Sequence, residues 1–177
     1  MANHELKIAR EFIETNQIKC NDLNLIALAL AHPSYAQEKN KINTNQRLEF
    51  LGDAVLNLVV AEYIFKRYPE KAEGELTKIR SRVVCESALD NWAHEMQLGK
   101  YLLLGKGEDK SGGRGRKSIL ADAVEAVIGA IYLDQGFQGA ADFIKSYLIE
   151  AIEDTASGDF YDYKSRLQEL VQAKNKS

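Results

Sequence analysis

Several features are scarce in this sequence of 177 residues, and each scarcity excludes a class of protein. The two cysteines, Cys20 and Cys85, are too few for a disulfide framework and do not have the spacing of a zinc motif. No apolar run approaches the ~20 residues that a membrane-spanning helix needs. Charged residues interrupt the N-terminal segment where a signal peptide would need an apolar run. We therefore expect a reduced, cytoplasmic protein with no membrane segment.

The scarcity of proline points to helices. Pro33 and Pro69 are the only prolines, and apolar residues recur at i, i+3, i+4 and i+7 along most of the sequence. We predict an all-α fold whose longest helix spans 46–67 and ends before Pro69. Asp22 is predicted to cap a helix that stops near Pro33, and Gly99 is predicted to cap the end of another helix.

The predicted helix over 46–67 carries two acids on one side. Glu49 and Asp53 are four residues apart in a mostly apolar stretch. Like charges at this spacing repel each other and weaken a helix by a few tenths of a kcal/mol, so a purely structural helix gains nothing from them. A solvated surface edge is the ordinary explanation of such a pair. A divalent metal ion is the other explanation, because it binds clustered carboxylate oxygens.

A second apolar stretch, 118–130, repeats this arrangement. Its only acids are Asp122 and Glu125, three residues apart and therefore on one face of a helix. No lysine or arginine occurs between Lys117 and Lys145, so a neutralising partner must come from elsewhere in the fold. If the two helices pack together, four carboxylates converge. Carboxylates without histidine or cysteine favour Mg²⁺ or Mn²⁺ over zinc.

Residues 45–53, 105–113 and 120–126 form three motifs in a characteristic order. Together they resemble the ribonuclease III family, and the resemblance extends over nearly the whole sequence from His32 onward. It implies a helical, homodimeric ribonuclease III endonuclease domain. It also implies Mg²⁺-dependent hydrolysis of double-stranded RNA, with Mn²⁺ able to substitute, that leaves 5′-phosphate and 3′-hydroxyl ends with short 3′ overhangs. The implied cellular role is processing of ribosomal RNA precursors, messenger RNA and other structured RNAs.

Carried over position by position, the resemblance assigns roles to the acids. Asp53 and Glu125 match catalytic carboxylates of the family, and Glu49, Asp122 and Glu125 match metal ligands. Glu73 matches a further acid near the site, with an outer-sphere or RNA-contacting role. An exposed acid at the start of a helix explains Glu73 nearly as well.

Two neighbours of the first acid pair extend the resemblance. Phe50, beside Glu49, matches a residue that in the family inserts into a second subunit, which implies a twofold homodimer with a site in each subunit. A simple core position is the alternative for Phe50. Gln46 departs from the family, since many members have Glu there, and an amide in place of a carboxylate argues against a metal-ligand role at this position.

Basic side chains are concentrated in the glycine-rich stretch 105–117. The net charge is −3, so the overall charge does not by itself indicate a nucleic-acid partner. Duplex RNA is bound largely through its shape, phosphates and 2′-hydroxyls, which clustered lysine and arginine can contact without reading bases. The candidate RNA-binding residues are Arg80, Lys106, Lys110, Arg114 and Arg116. A flexible solvated loop is an equally good explanation of the stretch.

The resemblance also divides the sequence. Residues 1–155 are expected to form the catalytic domain, and 156–162 a linker. Residues 163–177 resemble the opening helix of a double-stranded-RNA-binding domain, which follows the nuclease domain in ribonuclease III. The sequence is therefore expected to hold only the start of that domain. A short docked C-terminal helix is the alternative.

Two rival functions are weighed against these residues. A di-iron or di-manganese helical bundle would use Glu-x-x-His pairs, and none of the three histidines has a glutamate three residues before it. A catalytically silent relative that only binds RNA would have lost catalytic acids, and all four are present. The histidines His4, His32 and His94 are scattered along the sequence and are predicted to be surface or helix-capping residues.

Overall fold

Nine α-helices account for most of the chain that the computed structural model describes, which is residues 3–40 and 42–156. In chain order they are α1 Asn3–Thr15, α2 Leu23–Ala29, α3 Pro33–Glu38, α4 Gln46–Arg67, α5 Glu73–Val83, α6 Glu86–Glu95, α7 Leu98–Tyr101, α8 Lys106–Lys110 and α9 Lys117–Ala156. A 3-10 turn, Gly113–Gly115, lies between α8 and α9. The predicted all-α fold is confirmed. None of the described helices combines the length and the hydropathy needed to cross a bilayer.

The centre of the fold is the packing of α4 against α9, the most extensive contact between two helices. Two glycines allow the helices to touch backbone to backbone. A Cβ atom on Gly52 would lie 1.8 Å from the carbonyl oxygen of Glu125, and one on Gly129 would lie 2.2 Å from the carbonyl oxygen of Leu48. Only glycine, which has no Cβ atom, fits at these two positions. This close approach sets the positions of the acids on both helices.

Apolar side chains on both sides of this contact form the core. The buried apolar residues of α4 are Leu48, Val55, Leu56, Val59, Val60 and Ile64. Those in the first half of α9 are Ile119, Leu120, Ala121, Ala123, Val124, Ala126, Val127, Ile128, Ala130 and Ile131. The acids of α9 therefore lie in a stretch, 119–131, whose other side chains are buried.

Several predicted boundaries match the structure. Helix α4 spans 46–67 as predicted, and the side chain of Asp22 caps α2 by accepting the N–H of Asn24 at 2.9 Å. Gly136 interrupts the helical geometry of α9 with a φ of 73°. Helix α9 resumes beyond this kink and continues to Ala156.

One local prediction is wrong, and one open alternative is excluded. Gly99 does not cap a helix: it lies within α7, where a Cβ atom would come within 2.4 Å of the carbonyl oxygen of Arg114. For 105–117 the alternative of a flexible solvated loop does not hold, because α8 and the 3-10 turn occupy most of the stretch. The predicted linker, 156–162, and the segment 163–177 lie outside the described residues, apart from the last residue of α9.

Candidate metal centre

Three carboxylates from two helices meet at the α4–α9 contact. Glu49 comes from α4, and Asp122 and Glu125 come from α9. One oxygen of each lies within 4.8 Å of an oxygen of the other two, and all three side chains are half-buried. Oxygen ligands at this spacing suit a hard divalent cation such as Mg²⁺ or Mn²⁺.

The electrostatics of this group are unfavourable without a cation. Burial raises the pKa of Glu125 to about 7, and the negative charges of Asp53, Asp122 and Glu49 act in the same direction. Burial also raises the pKa of Glu49, with Asp122 adding to it, and the pKa of Asp122. In the described part of the chain, none of the three carboxylates forms an ion pair with lysine or arginine. A bound cation would supply the missing positive charge.

Asp53 lies at the edge of this group rather than inside it. Its side chain is exposed, and its Oδ1 accepts a hydrogen bond from Asn57 Nδ2 at 2.8 Å. Its charge nevertheless reaches Glu125 and contributes to the raised pKa there. The structure therefore brings together three of the four predicted acids and places the fourth beside them, open to solvent.

Two further predicted positions lie outside the carboxylate group. Glu73 is exposed in the first turn of α5, where its Oε1 accepts a hydrogen bond from Thr77 Oγ1 at 2.9 Å. Gln46 is exposed at the start of α4, and its Oε1 accepts from Thr44 Oγ1 at 3.2 Å. Each side chain makes a local contact within its own helix start.

Sequence reasoning missed the residues that surround Asp122. The charge of Glu86, at the start of α6, raises the pKa of Asp122, whereas His32 lowers it. Glu108 in α8 and Asp122 both influence the ring of His32. Helix α6 packs against α9, and α3 packs against α8. These contacts join positions that are far apart in sequence, so the spacing of the residues along the chain carries no signal.

Two of the candidate RNA-binding arginines are engaged within the fold. The Nη1 group of Arg114 donates to the carbonyl oxygens of Gly99 at 3.0 Å and Leu102 at 2.8 Å. The Nε and Nη2 groups of Arg114 donate to the two carboxylate oxygens of Asp109 at 2.8 and 3.1 Å. Arg116 is paired with Glu108 by an Nη1–Oε1 distance of 2.6 Å.

The other three candidates are less constrained. Lys110 is exposed at the end of α8, and Lys106, with 86% of its side chain exposed, lies 4.0 Å from a carboxylate oxygen of Glu38. Arg80 is half-buried in the last turn of α5. The exposed cations of 105–117 that remain available to a phosphate are therefore fewer than the composition of this stretch suggests.

Phe50 is not a core residue. It is 81% exposed on α4, directly after Glu49. An open cleft of about 590 Å³ lies at the N-terminal end of the same helix. Its lining includes the apolar side chains Leu25, Leu28, Ile42, Leu48, Leu51 and Leu133. An exposed aromatic ring and an open apolar cleft are each typical of a contact between subunits.

Comparisons with known proteins agree on one family. A sequence model of a family described as "Ribonuclease-III-like" matches residues 22–152, a range that includes all four acids. The chain is 65% identical to Ribonuclease 3 of Syntrophomonas wolfei over 98% of its own length and 74% of that protein. It is 47% identical to Ribonuclease 3 of Borreliella burgdorferi, over 99% of this chain and 73% of that protein.

Solved structures give the same result. The fold is similar to the nuclease domain of ribonuclease III from Campylobacter jejuni, with a TM-score of 0.69 and 38% identity over 92% of this chain and 100% of that one. A second structure of that nuclease domain has a TM-score of 0.73 and 42% identity, over 80% of this chain and 95% of that one. It is described as structurally flexible in a region involved in dimer formation.

Proposed function

The chain belongs to the ribonuclease-III-like family and is an endoribonuclease of that class, and from this premise we propose that it hydrolyses double-stranded RNA with the help of Mg²⁺. The proposed products carry 5′-phosphate and 3′-hydroxyl ends with short 3′ overhangs. The proposed cellular work is the processing of ribosomal RNA precursors, messenger RNA and other structured RNAs in the cytoplasm. The observation that carries the proposal is the group of three carboxylates at the α4–α9 contact.

Glu49, Asp122 and Glu125 would hold the cation, with Mn²⁺ able to replace Mg²⁺. Their oxygens are close enough together to share one ion, and their raised pKa values mark a site that needs positive charge. A divalent cation bound there supplies an acidified water molecule and positive charge beside the phosphate. The donor set fits the ion, because all of its atoms are carboxylate oxygens.

The proposed catalytic residues are Asp53 and Glu125. In the metal-free chain burial and the neighbouring acids raise the pKa of Glu125 to about 7, so ionised Glu125 gains most of the three from a bound cation. Asp53 is exposed at the edge of the site, and the hydrogen bond from Asn57 holds its carboxylate there. Its position allows contact with a substrate that does not enter the core. For Glu73 we retain an outer-sphere or RNA-contacting role.

RNA would be bound through its phosphates. Lys106 and Lys110 are exposed beside the stretch that leads into α9, and Arg80 is half-buried near the end of α5. Lysine and arginine contact phosphates in any sequence, which suits binding to A-form duplexes. Arg114 and Arg116 are weaker candidates, because their guanidinium groups already bind partners within the protein.

We further propose that two copies of the chain form a twofold homodimer. Phe50 of one copy would enter the apolar cleft beside α4 of the other, which would remove an exposed aromatic ring from water. Glu49 precedes Phe50, so the interface would lie directly beside each carboxylate group. One groove would then lead across both sites.

Cleavage of a labelled RNA duplex tests the proposal. The native chain is expected to cut in Mg²⁺ and not in EDTA, and Glu125→Gln is expected to lower the rate by several orders of magnitude. Glu62→Gln is the matched control, since Glu62 is an acid of α4 that pairs with Lys66 far from the carboxylates. Binding of RNA by the native chain without cleavage at any salt concentration would instead favour a catalytically silent RNA-binding protein.

A further inference from the structure

Helix α8 begins without a cap of its own. It has five residues, Lys106–Lys110, and a helix this short is not stable in water without contacts from the rest of the fold. Gly105 occupies the N-cap position, but glycine has no side chain that could accept a hydrogen bond. The first backbone N–H groups of α8 therefore need acceptors from another part of the chain.

Helix α3 supplies these acceptors. The Oγ atom of Ser34 accepts the backbone N–H of Gly105 at 2.9 Å. The Oε2 atom of Glu38 accepts the backbone N–H of Lys106 at 2.7 Å. Ser34 and Glu38 are four residues apart, so they lie on one face of α3. A Cβ atom on Gly105 would lie 2.6 Å from the carbonyl oxygen of Ser34, which shows how closely the two segments are packed.

The second half of α8 is held by other contacts. Asp109 accepts two hydrogen bonds from the guanidinium group of Arg114, and Glu108 is paired with Arg116. Neither pair involves α3. Loss of the contacts from α3 should therefore release the first turn of α8 and leave the end of the helix, with its connection to α9, in place.

Two candidate RNA-binding cations belong to this helix. Lys106 and Lys110 are exposed and four residues apart, so they lie on one face of α8. The Nζ group of Lys106 is 4.0 Å from Glu38 Oε1, and 86% of this lysine side chain is exposed. The hydrogen bond from its backbone to Glu38 is short and charge-assisted, whereas the contact of its ammonium group is at the distance limit of an ion pair. Glu38 thus fixes the backbone of Lys106 and leaves the ammonium group open to solvent.

We propose that Glu38 is a positioning residue for RNA binding, which acts through the first turn of α8 and holds Lys106 where its ammonium group can contact a phosphate of duplex RNA. The inference rests on the proposed function, because RNA is taken as the partner of Lys106. Capping and charge act in opposite directions here. A carboxylate beside an RNA-binding surface repels phosphates, so removal of its charge alone would strengthen binding, whereas loss of the cap should weaken it.

The test compares Glu38→Ala with Glu38→Gln. Alanine removes the cap and the charge, whereas glutamine removes only the charge and keeps an oxygen that can accept the N–H of Lys106. Binding of duplex RNA is measured in Ca²⁺ at several salt concentrations. We expect roughly tenfold weaker binding by Glu38→Ala at about 0.1 M salt, and a slope of log affinity against log salt concentration that is smaller by about 1. Glu38→Gln should bind at least as tightly as the native chain.

Three further measurements separate this role from a general loss of structure. Cleavage by Glu38→Ala at saturating RNA and Mg²⁺ should keep the native rate while KM rises, since the carboxylate group is unchanged. Hydrogen exchange at the backbone amide of Lys106 should be faster in Glu38→Ala than in the native chain or in Glu38→Gln. Addition of Glu38→Ala to Lys106→Gln should weaken RNA binding no further. Glu14→Ala, at an exposed acid of α1, is the control for charge and should not weaken binding.

The outcomes distinguish failure of the inference from failure of the proposed function. Equal or tighter RNA binding by Glu38→Ala would overturn the role of Glu38, as would an equal loss of affinity in Glu38→Gln or a lower cleavage rate at saturating RNA. Failure of the native chain to bind duplex RNA at any salt concentration would overturn the proposed function together with this inference.

Discussion

Gly52 of α4 lies against the backbone of Glu125 in α9, closely enough that a Cβ atom would stand 1.8 Å from the Glu125 carbonyl oxygen. Glu125, the residue of α9 that α4 approaches most closely at Gly52, is thus itself a member of the carboxylate group. Any side chain on Gly52 would separate the two helices at the site. The packing of the core and the geometry of the acids therefore depend on one contact.

Gly52→Ala is expected to lower the free energy of unfolding by at least ~2 kcal/mol, because the added methyl group meets backbone atoms that cannot move aside. Chemical denaturation with the metal-free protein measures the change. Gly74→Ala in α5 is the matched control, since nothing lies within 4 Å of its Cβ position. That variant should be neutral or up to ~1 kcal/mol more stable. Equal stability of the two variants would contradict the packing argument.

The carboxylate group was predictable from sequence because each of its members is an acid in an otherwise apolar stretch. Asp122 and Glu125 are the only acids in an apolar stretch, and Glu49 repeats the pattern in a second helix. Spacing alone places each pair on one face of its helix. It does not say how deep each acid lies: Asp53 is exposed, although it is on the same side of α4 as the half-buried Glu49.

The surroundings of the site were not predictable in this way. In the sequence Arg114 is simply one more basic residue of a glycine-rich stretch. Only the fold shows that its guanidinium group donates to the carbonyl oxygens of Gly99 and Leu102. His32 was expected to be a surface or capping residue, and it is a cap. Its proximity to Asp122 joins positions 90 residues apart in sequence, so it depends on tertiary packing alone.

The stability of the metal-free protein should depend on pH through Glu125. Its pKa is about 7 in the folded chain and near 4.5 in an unfolded chain, so folding binds a proton. The favourable contribution is complete below pH 4.5 and is lost as the pH rises to about 7. Glu125→Gln does not titrate. The melting temperature of this variant relative to the native chain should therefore rise between pH 4.5 and 7 in EDTA and then level off.

Glu62→Gln should show the opposite pH dependence of stability in the same measurement. The hydrogen bond and charge of Lys66 lower the pKa of Glu62, so this carboxylate favours folding once the pH exceeds its unfolded pKa. The variant should be slightly less stable than the native chain at neutral pH and equal to it in acid. The same trend in both variants would show that something other than burial of Glu125 controls the pH dependence.

Arg114→Lys is expected to destabilise the fold by ~2 kcal/mol, because lysine cannot bind Asp109 with two parallel hydrogen bonds and reach the carbonyl oxygens as well. Thermal and chemical denaturation measure the loss. Lys110→Gln, at the exposed end of α8 and next to Asp109, should leave stability unchanged. Retention of full stability by Arg114→Lys would show that these contacts contribute little, and would return Arg114 to the list of residues available to RNA.

Lys110→Gln should instead weaken binding to duplex RNA. Loss of one phosphate contact lowers the affinity for any sequence and reduces the slope of log affinity against log salt concentration by about 1. Binding is measured in Ca²⁺ or EDTA at several salt concentrations, so that cleavage does not consume the RNA. Two duplexes of unrelated sequence should lose the same factor. An unchanged salt slope would remove Lys110 from the RNA-binding surface.

Phe50→Ala should shift the proposed dimer towards monomers, because a large aromatic side chain entering an apolar cleft is the type of residue that dominates interface energetics. A loss of about 2 kcal/mol corresponds to a roughly 30-fold rise in the dissociation constant, which sedimentation velocity over a range of concentrations can measure. Phe50→Leu retains much of the apolar surface, so its dissociation constant should lie between those of the native chain and of Phe50→Ala. The monomer fold should be unaffected in both, since the ring is exposed in the single chain. Identical sedimentation of all three proteins would place the interface elsewhere.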